Sequence, residues 1–147
     1  MGSGNSNFKF IVFFVFMAVS SVSVPLVDGI IFDTITVFVQ NDLENNQPLT
    51  VHCQSRDDDL GEHTLAHRQD IHWSFHIDIF QWTRFWCSMQ WSNSTGQIVQ
   101  GTYDIYFVRR DWRLCGDNCY WSIRESGWYL YHKDGEGLYF MYKWPSN

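Results

Sequence analysis

Three consecutive aspartates, Asp57-Asp58-Asp59, are the residues that most directly suggest a functional site, either for calcium or for acid catalysis. They lie in the stretch VHCQSRDDDLGE, between a cysteine and a glycine. A calcium-binding EF-hand instead spaces its acidic ligands at alternate positions and ends on a glutamate. Adjacent side chains of an extended segment point to opposite sides, so three in a row do not converge on one ion. We therefore predict an acidic turn that could also contact a partner, formed by Arg56, Asp57, Asp58, Asp59 and Glu62.

Two histidine pairs have the i, i+4 spacing that places metal ligands on one face of a helix, His63/His67 and His72/His76. On a strand, residues four apart are separated by about 13 Å, which is too far for one ion. Apolar and polar residues alternate from Ile71 to Ile77, which favours a strand for His72 and His76. The sequence also contains no His-Glu-x-x-His, nucleophile elbow or phosphate-binding glycine loop. We predict no metal, no cofactor and no catalytic centre.

Four cysteines are present, Cys53, Cys87, Cys115 and Cys119. An even number in a small exported chain indicates two disulfides, whereas a redox centre would have Cys-x-x-Cys in place of CGDNC. Three pairings remain open from the sequence. Because longer closed loops remove more entropy from the unfolded chain, we favour Cys53–Cys119 with Cys87–Cys115 over a local Cys115–Cys119 bridge.

The first 29 residues have the pattern of a secretory signal peptide. A single lysine, Lys9, precedes the apolar run 10–19, and small residues follow it. The residue types permit cleavage after Ser23 or after Gly29. The apolar run is shorter than the ~20 residues of a membrane-spanning helix. The net charge is −6, which disfavours binding to nucleic acid. We expect a secreted, extracellular chain with no membrane insertion of its mature part.

The rest of the chain, 30–147, is patterned as one domain of short strands. Apolar residues alternate with polar ones in runs such as 35–39, 49–53 and 85–91, and turn-forming stretches separate these runs. Aromatic residues make up 18% of the chain, which suits half-buried pleated surfaces. These features predict an all-β fold, an antiparallel β-sandwich of about eight short strands.

The triplet Asn93-Ser94-Thr95 is an acceptor for N-glycosylation in an exported chain. It lies between two alternating runs and precedes Gly96, so we expect it at an exposed hairpin tip.

Several stretches together resemble one protein family. They are VFVQNDL, LTVHCQSRDDDLGEHTL, RFWCSMQW, TYDIYFVRRD and CGDNCYWSIRESGWYLY. The chain from about Thr34 to Trp144 resembles the plant self-incompatibility S-protein homologues. That resemblance implies an extracellular β-sandwich with two disulfides, no catalytic residues and no cofactor.

The resemblance also implies a function, because the S proteins of poppy are ligands for a pollen membrane receptor. We therefore expect a secreted recognition or signalling protein, acting as a monomer on a cell-surface protein. The alternative from the residues is a secreted glycan-binding or hydrolytic module of the cell wall. It would use aromatic side chains predicted opposite the core, Trp82, Trp86, Tyr129, Tyr131 and Tyr139.

Overall fold

The fold consists mainly of strands whose side chains alternate between the core and the surface. The computed structural model describes residues 34–78 and 80–146. In β1 and β2 every second side chain is buried in the core. The described residues contain nine strands and one helix: β1 Thr34–Asn41, β2 Leu49–Gln54, β3 Asp59–Leu65, β4 Asp70–His76, β5 Arg84–Ser92, β6 Ile98–Phe107, α1 Val108–Cys115, β7 Asn118–Arg124, β8 Gly127–Tyr131 and β9 Leu138–Tyr142. The predicted signal peptide lies outside the described residues.

The strands form two sheets that enclose one core. One sheet has the order β4-β1-β7-β8-β9 and the other has the order β3-β2-β5-β6. Their inner faces share a buried cluster that includes Val37, Val51, Met89, Trp121 and Leu130. The predicted β-sandwich is confirmed. One strand pair differs from the antiparallel expectation, because β1 and β7 run parallel.

Two elements were absent from the sequence prediction. Strand β3 lies at a sheet edge and buries only Leu65 fully, so its residues show no alternation. Helix α1 buries Val108, Asp111 and Cys115. These positions have the spacing of one helical face. Because Asp111 is polar, however, the face does not show the apolar periodicity by which a helix is recognised in a sequence. Burial raises the pKa of Asp111, and its ion pair with Arg110, 2.6 Å from Nε to Oδ1, opposes that rise.

The predicted disulfide pairing is wrong. The structure joins Cys53 to Cys87 and Cys115 to Cys119. Cys53 and Cys87 are inward-facing and directly opposite each other on the neighbouring strands β2 and β5, with Cα atoms 4.0 Å apart. The turn after α1 brings Cys119 back to the end of the helix, with a Cα–Cα distance of 4.9 Å. Strand register, rather than the length of the closed loop, decides which sulfur atoms meet.

A fully buried asparagine joins the β1–β2 and β3–β4 loops and the end of β3 at one end of the sandwich. The Asn41 side-chain amide donates hydrogen bonds to the carbonyl oxygens of Gln47 at 2.8 Å and Leu65 at 2.9 Å. Its Oδ1 accepts the backbone N–H of Leu43 at 2.9 Å. The Asn41 backbone also bonds to the segment between β3 and β4, through Arg68 and Gln69. Asn41 therefore satisfies backbone groups that the adjoining loops leave unpaired.

Candidate partner-binding surface

The acidic stretch is split between a turn and a strand. In the turn 55–58, Ser55 Oγ accepts the backbone N–H groups of Asp57 and Asp58, and the Ser55 N–H donates to the Asp58 carbonyl at 2.7 Å. These bonds shape the backbone, so the side chains of Arg56, Asp57 and Asp58 point to solvent. Arg56 and Asp57 form an exposed ion pair at 3.2 Å. The Asp58 carboxylate has no ion-pair or hydrogen-bond partner among the described residues.

Asp59 and Glu62 belong to β3 and have different surroundings. Asp59 Oδ1 accepts the backbone N–H of Gly61 at 2.9 Å and contacts His52 Nε2 at 2.6 Å. The Gly61 hydrogen bond, and after it the His52 contact, lower the pKa of Asp59. Gly61 has a φ of 75°, which suits glycine in this bend. Asp59 is therefore structural, and exposed Glu62 lines a depression with Thr50, away from the 55–58 turn.

The turn 55–58 faces a second loop, 78–83, that a single carboxylate organises. The Asp78 carboxylate accepts hydrogen bonds from the backbone N–H of Phe80 at 2.8 Å and of Trp82 at 3.1 Å. It also accepts the Thr83 hydroxyl at 2.8 Å. Partial burial opposes ionisation of Asp78, but these hydrogen bonds outweigh it, so its pKa is lowered. Asp78 thereby holds the backbone that carries two large aromatic side chains.

Those two aromatic side chains, Phe80 and Trp82, are the most exposed large apolar groups among the described residues. Phe80 is 69% exposed and Trp82 is 64% exposed. The Arg109 guanidinium of α1 lies over the Trp82 ring, 4.4 Å from its centroid, and restrains it by a cation–π contact. Neighbouring exposed aromatics on an ordered backbone are typical of interaction sites.

A groove of about 690 Å³ lies between the two loops. Its walls are Arg56, Asp57 and Asp58 on one side, and Asp78, Phe80 and Trp82 on the other. Arg84 also lines the groove, but its charge is paired with Asp104 at 2.7 Å. The groove thus presents apolar rings next to one unpaired carboxylate. We call this the aromatic–acidic groove.

The sequence prediction located half of this groove. Arg56, Asp57 and Asp58 line it, whereas Asp59 and Glu62 do not. Trp82 was predicted as an exposed aromatic, but Phe80 was missed because nothing in a run of mixed residues marks it as exposed. The available signal was Asp78 followed by Trp82-Thr83, since an aspartate often bonds to backbone N–H groups of the loop that follows it.

Each of the four histidines with paired spacing has a separate hydrogen-bond partner. His63 and His67 bond to the carbonyl oxygens of Leu60 at 2.9 Å and Leu43 at 2.6 Å. His72 and His76 are exposed on the outer face of β4, as predicted. Among residues 34–78 and 80–146, no group of three or more His, Cys, Asp or Glu side chains is placed to hold a metal ion. In the same part of the chain, no helix has the length and apolar character needed to cross a membrane.

The predicted glycosylation triplet lies in the turn between β5 and β6. Asn93 Oδ1 accepts the backbone N–H groups of Thr95 at 3.0 Å and Gln97 at 2.9 Å, while Ser94 and Thr95 are exposed. The aromatic–acidic groove adjoins the other end of β5, at Arg84. Nine residues of strand separate the two ends, a distance of about 30 Å.

Comparison with known proteins decides the family. The family pattern described as plant self-incompatibility protein S1 matches residues 36–144. The chain belongs to this family. S-protein homolog 24 of Arabidopsis thaliana is 39% identical to this S1-family chain over 108 residues, which is 74% of this chain and 67% of that protein. Self-incompatibility protein S1 of Papaver rhoeas is 32% identical over 103 residues, covering 70% of this chain and 72% of that protein.

A solved structure supports the fold of this S1-family protein. It is described as the structure of SPH (self-incompatibility protein homologue) proteins, a widespread family of small, highly stable, secreted proteins from plants. The TM-score is 0.57 at 21% identity, and the match covers 78% of this chain and 97% of that chain. At this identity the likeness concerns the fold alone.

Proposed function

We propose that this S1-family protein is exported and acts without catalysis, as a ligand for a protein on the surface of a plant cell. Its family membership, the secretory pattern of its first 29 residues and the description of its solved relative as secreted support export. The name of the poppy relative refers to self-incompatibility. For this chain we propose the broader role of recognition.

The observation that carries this proposal is the exposed Phe80–Trp82 pair on a loop ordered by Asp78. Exposed rings are unfavourable in water, so a protein that orders them gains most when a partner covers them. Aromatic residues held in a fixed conformation lose little entropy on binding and commonly dominate the affinity of protein interfaces. The same loop therefore has the properties of a recognition element.

The charges of the groove indicate the chemistry of its partner. Asp58 has a free carboxylate next to the rings, and the whole chain has a net charge of −6. A complementary protein surface would offer an apolar pocket for Trp82 and Phe80 and a lysine or arginine for Asp58. A basic surface around that pocket would also increase the association rate of the acidic ligand.

The test is binding of the purified, labelled protein to a panel of plant cells that includes pollen. We expect saturable binding with a component that disappears when the cell surface is treated with protease. Trp82→Ala and Phe80→Ala should each weaken binding about tenfold or more, because each removes a ring that the partner would bury. Phe140→Ala is the matched control, since Phe140 is 54% exposed on β9 and lies outside the groove.

Two results would contradict the proposal. One is the absence of any protease-sensitive component, so that all binding is removed by digestion of wall polysaccharides. The other is equal binding by the Trp82, Phe80 and Phe140 variants when all three retain the wild-type melting temperature.

We also propose that Asn93 carries a glycan in the exported protein. Digestion with a glycosidase that acts on plant N-glycans should lower the intact mass, and the remaining mass should distinguish cleavage after Ser23 from cleavage after Gly29. Asn93→Gln and Thr95→Ala should abolish the mass change, whereas Thr95→Ser keeps the triplet and should retain it. A glycan-free wild-type mass from a plant secretory host would refute this proposal. Because Asn93 is remote from the aromatic–acidic groove, removal of the glycan should leave cell binding unchanged.

A further inference from the structure

A row of aromatic rings crosses the outer face of the five-stranded sheet. The predicted outward aromatics Tyr129, Tyr131 and Tyr139 lie on β8 and β9, away from Trp82 and Trp86, so the five form no single patch. The row instead contains His72 of β4, Phe38 of β1 and Tyr120 of β7, which are paired in register. Strands β7 and β8 are antiparallel and Trp121 pairs with Leu130, so Tyr131 of β8 is the residue opposite Tyr120.

The first three rings of this row are in contact. Phe38 and Tyr120 are stacked, with ring centroids 4.4 Å apart at an interplanar angle of 14°, whereas the Phe38 and His72 rings are tilted by 31° with centroids 5.2 Å apart. Strands β4 and β7 flank β1, so Phe38 has a ring on each side. Tyr120 ends the stack and is 47% exposed, and Tyr131 beyond it is 40% exposed. The side of Tyr120 turned away from Phe38 can therefore receive another flat group.

A groove of about 940 Å³ runs along this row and is lined by His72, Phe38, Tyr120 and Tyr131. Its rim is polar and includes Gln40, Asp117, Asn118 and Lys133. This volume lies in the range of small-molecule sites, and aromatic walls with a few polar groups are usual there. The rim contains hydrogen-bond donors and acceptors side by side.

The polar groups around this groove are of mixed charge. Two carboxylates, Asp70 and Asp117, and the ammonium group of Lys133 line it, and Asp70 contacts His72 at 3.2 Å. A phosphate ligand would be repelled by Asp70 and Asp117, and a strongly basic peptide would leave Gln40, Asn118 and Lys133 unmatched. The complementary ligand is therefore neutral and rich in groups that both donate and accept hydrogen bonds.

We propose that this groove binds a neutral oligosaccharide, with one sugar ring stacked on Tyr120. A pyranose ring has an apolar C–H face that can lie against an aromatic ring and a perimeter of hydroxyl groups. Each hydroxyl both donates and accepts, which matches the mixed rim of amide, carboxylate and ammonium groups. An aromatic side chain of a peptide could stack in the same place but would leave most of the rim unmatched.

This site is independent of the aromatic–acidic groove. Tyr120 lies on the outer face of the five-stranded sheet, whereas the walls of the aromatic–acidic groove are the two loops 55–58 and 78–83. Glycan binding and protein binding can therefore be separated by single substitutions. Failure of either proposal leaves the other one standing.

The test uses the complete disulfide-bonded protein with cellohexaose, a xyloglucan oligosaccharide and a mannan oligosaccharide as neutral probes. An oligogalacturonide and a tyrosine-rich peptide are the comparison probes. Binding is measured by calorimetry and by chemical-shift changes of the backbone amides of isotope-labelled protein. We expect saturable binding of at least one neutral probe, with the largest shifts in residues 116–120 and 131–135.

Variants at Tyr120 make the result specific to stacking. Tyr120→Ala should weaken neutral-glycan binding about tenfold or more, and Tyr120→Phe should keep it within about threefold because the ring remains. Trp82→Ala is the matched control and should bind the glycan as the wild type does. Since Tyr120 is exposed, melting temperatures are expected to stay close to the wild-type value.

The proposal is overturned if no neutral probe shifts these residues, or if only the acidic glycan or only the peptide does. It is also overturned if a neutral probe binds equally well to Tyr120→Ala, or if Trp82→Ala and Tyr120→Ala weaken its binding equally.

Discussion

Replacing Cys53 and Cys87 together with alanine should lower the free energy of unfolding by about 4 kcal/mol, whereas replacing Cys115 and Cys119 should lower it by about 2 kcal/mol. The first bridge spans a sequence separation of 34 and the second a separation of 4. The chain-entropy model therefore gives the first bridge the larger effect on the unfolded state. All four cysteines are buried, so both double variants also lose core contacts and the ranking rests on loop length.

Denaturant unfolding followed by tryptophan fluorescence measures both differences. Peptide mapping of the unreduced protein provides the independent check, since it should recover peptides that join residues 53 and 87. Equal destabilisation by the two double variants would contradict the energetic ranking. A recovered link between residues 53 and 119 would contradict the connectivity itself.

The second large effect is expected from Asn41→Ala, which should lower the free energy of unfolding by about 3 kcal/mol. The substitution removes three side-chain hydrogen bonds. It leaves the carbonyl oxygens of Gln47 and Leu65 and the N–H of Leu43 without that partner. Because Asn41 is fully buried, the smaller side chain gives these groups no ready access to bulk water.

The matched control is Gln40→Ala, the preceding residue on the same strand. Gln40 faces outward, and its side chain makes one hydrogen bond, to the Arg68 carbonyl at 3.2 Å. Its replacement should change the free energy of unfolding by less than about 0.5 kcal/mol. A similar loss of stability in both variants, measured by denaturant titration, would refute the role assigned to Asn41.

The alternating strands could be predicted from the sequence because their periodicity reports directly on burial. Val37 and Val51, for example, have no exposed surface, and their neighbours along the strand are partly exposed. Strand β3 lacks this signal because it lies at a sheet edge and only Leu65 is buried, so its other positions are not required to be apolar. Helix α1 lacks it because its inward face contains Asp111, whose charge is compensated by Arg110.

The aromatic–acidic groove could be predicted only in parts, because its geometry depends on strand pairing. The acidic turn follows β2 and the aromatic loop precedes β5, and these two strands are neighbours in one sheet. Spacing along the chain does not reveal that the two loops emerge at the same end. For the same reason the sequence did not reveal that Cys53 and Cys87 are opposite each other.

The position of β1 in its sheet also affects the order in which the strands can pair during folding. In the sheet β3-β2-β5-β6, the pairings β2–β3 and β5–β6 join strands that are consecutive along the chain, so these two pairings close short loops. Strand β1 is synthesised before all the others described here, yet its parallel neighbour β7 ends only at Arg124. Pairings of such long range are the slow steps of folding. We therefore expect the outer face that bears Phe38 and Tyr120 to form last, when β1 pairs with β7.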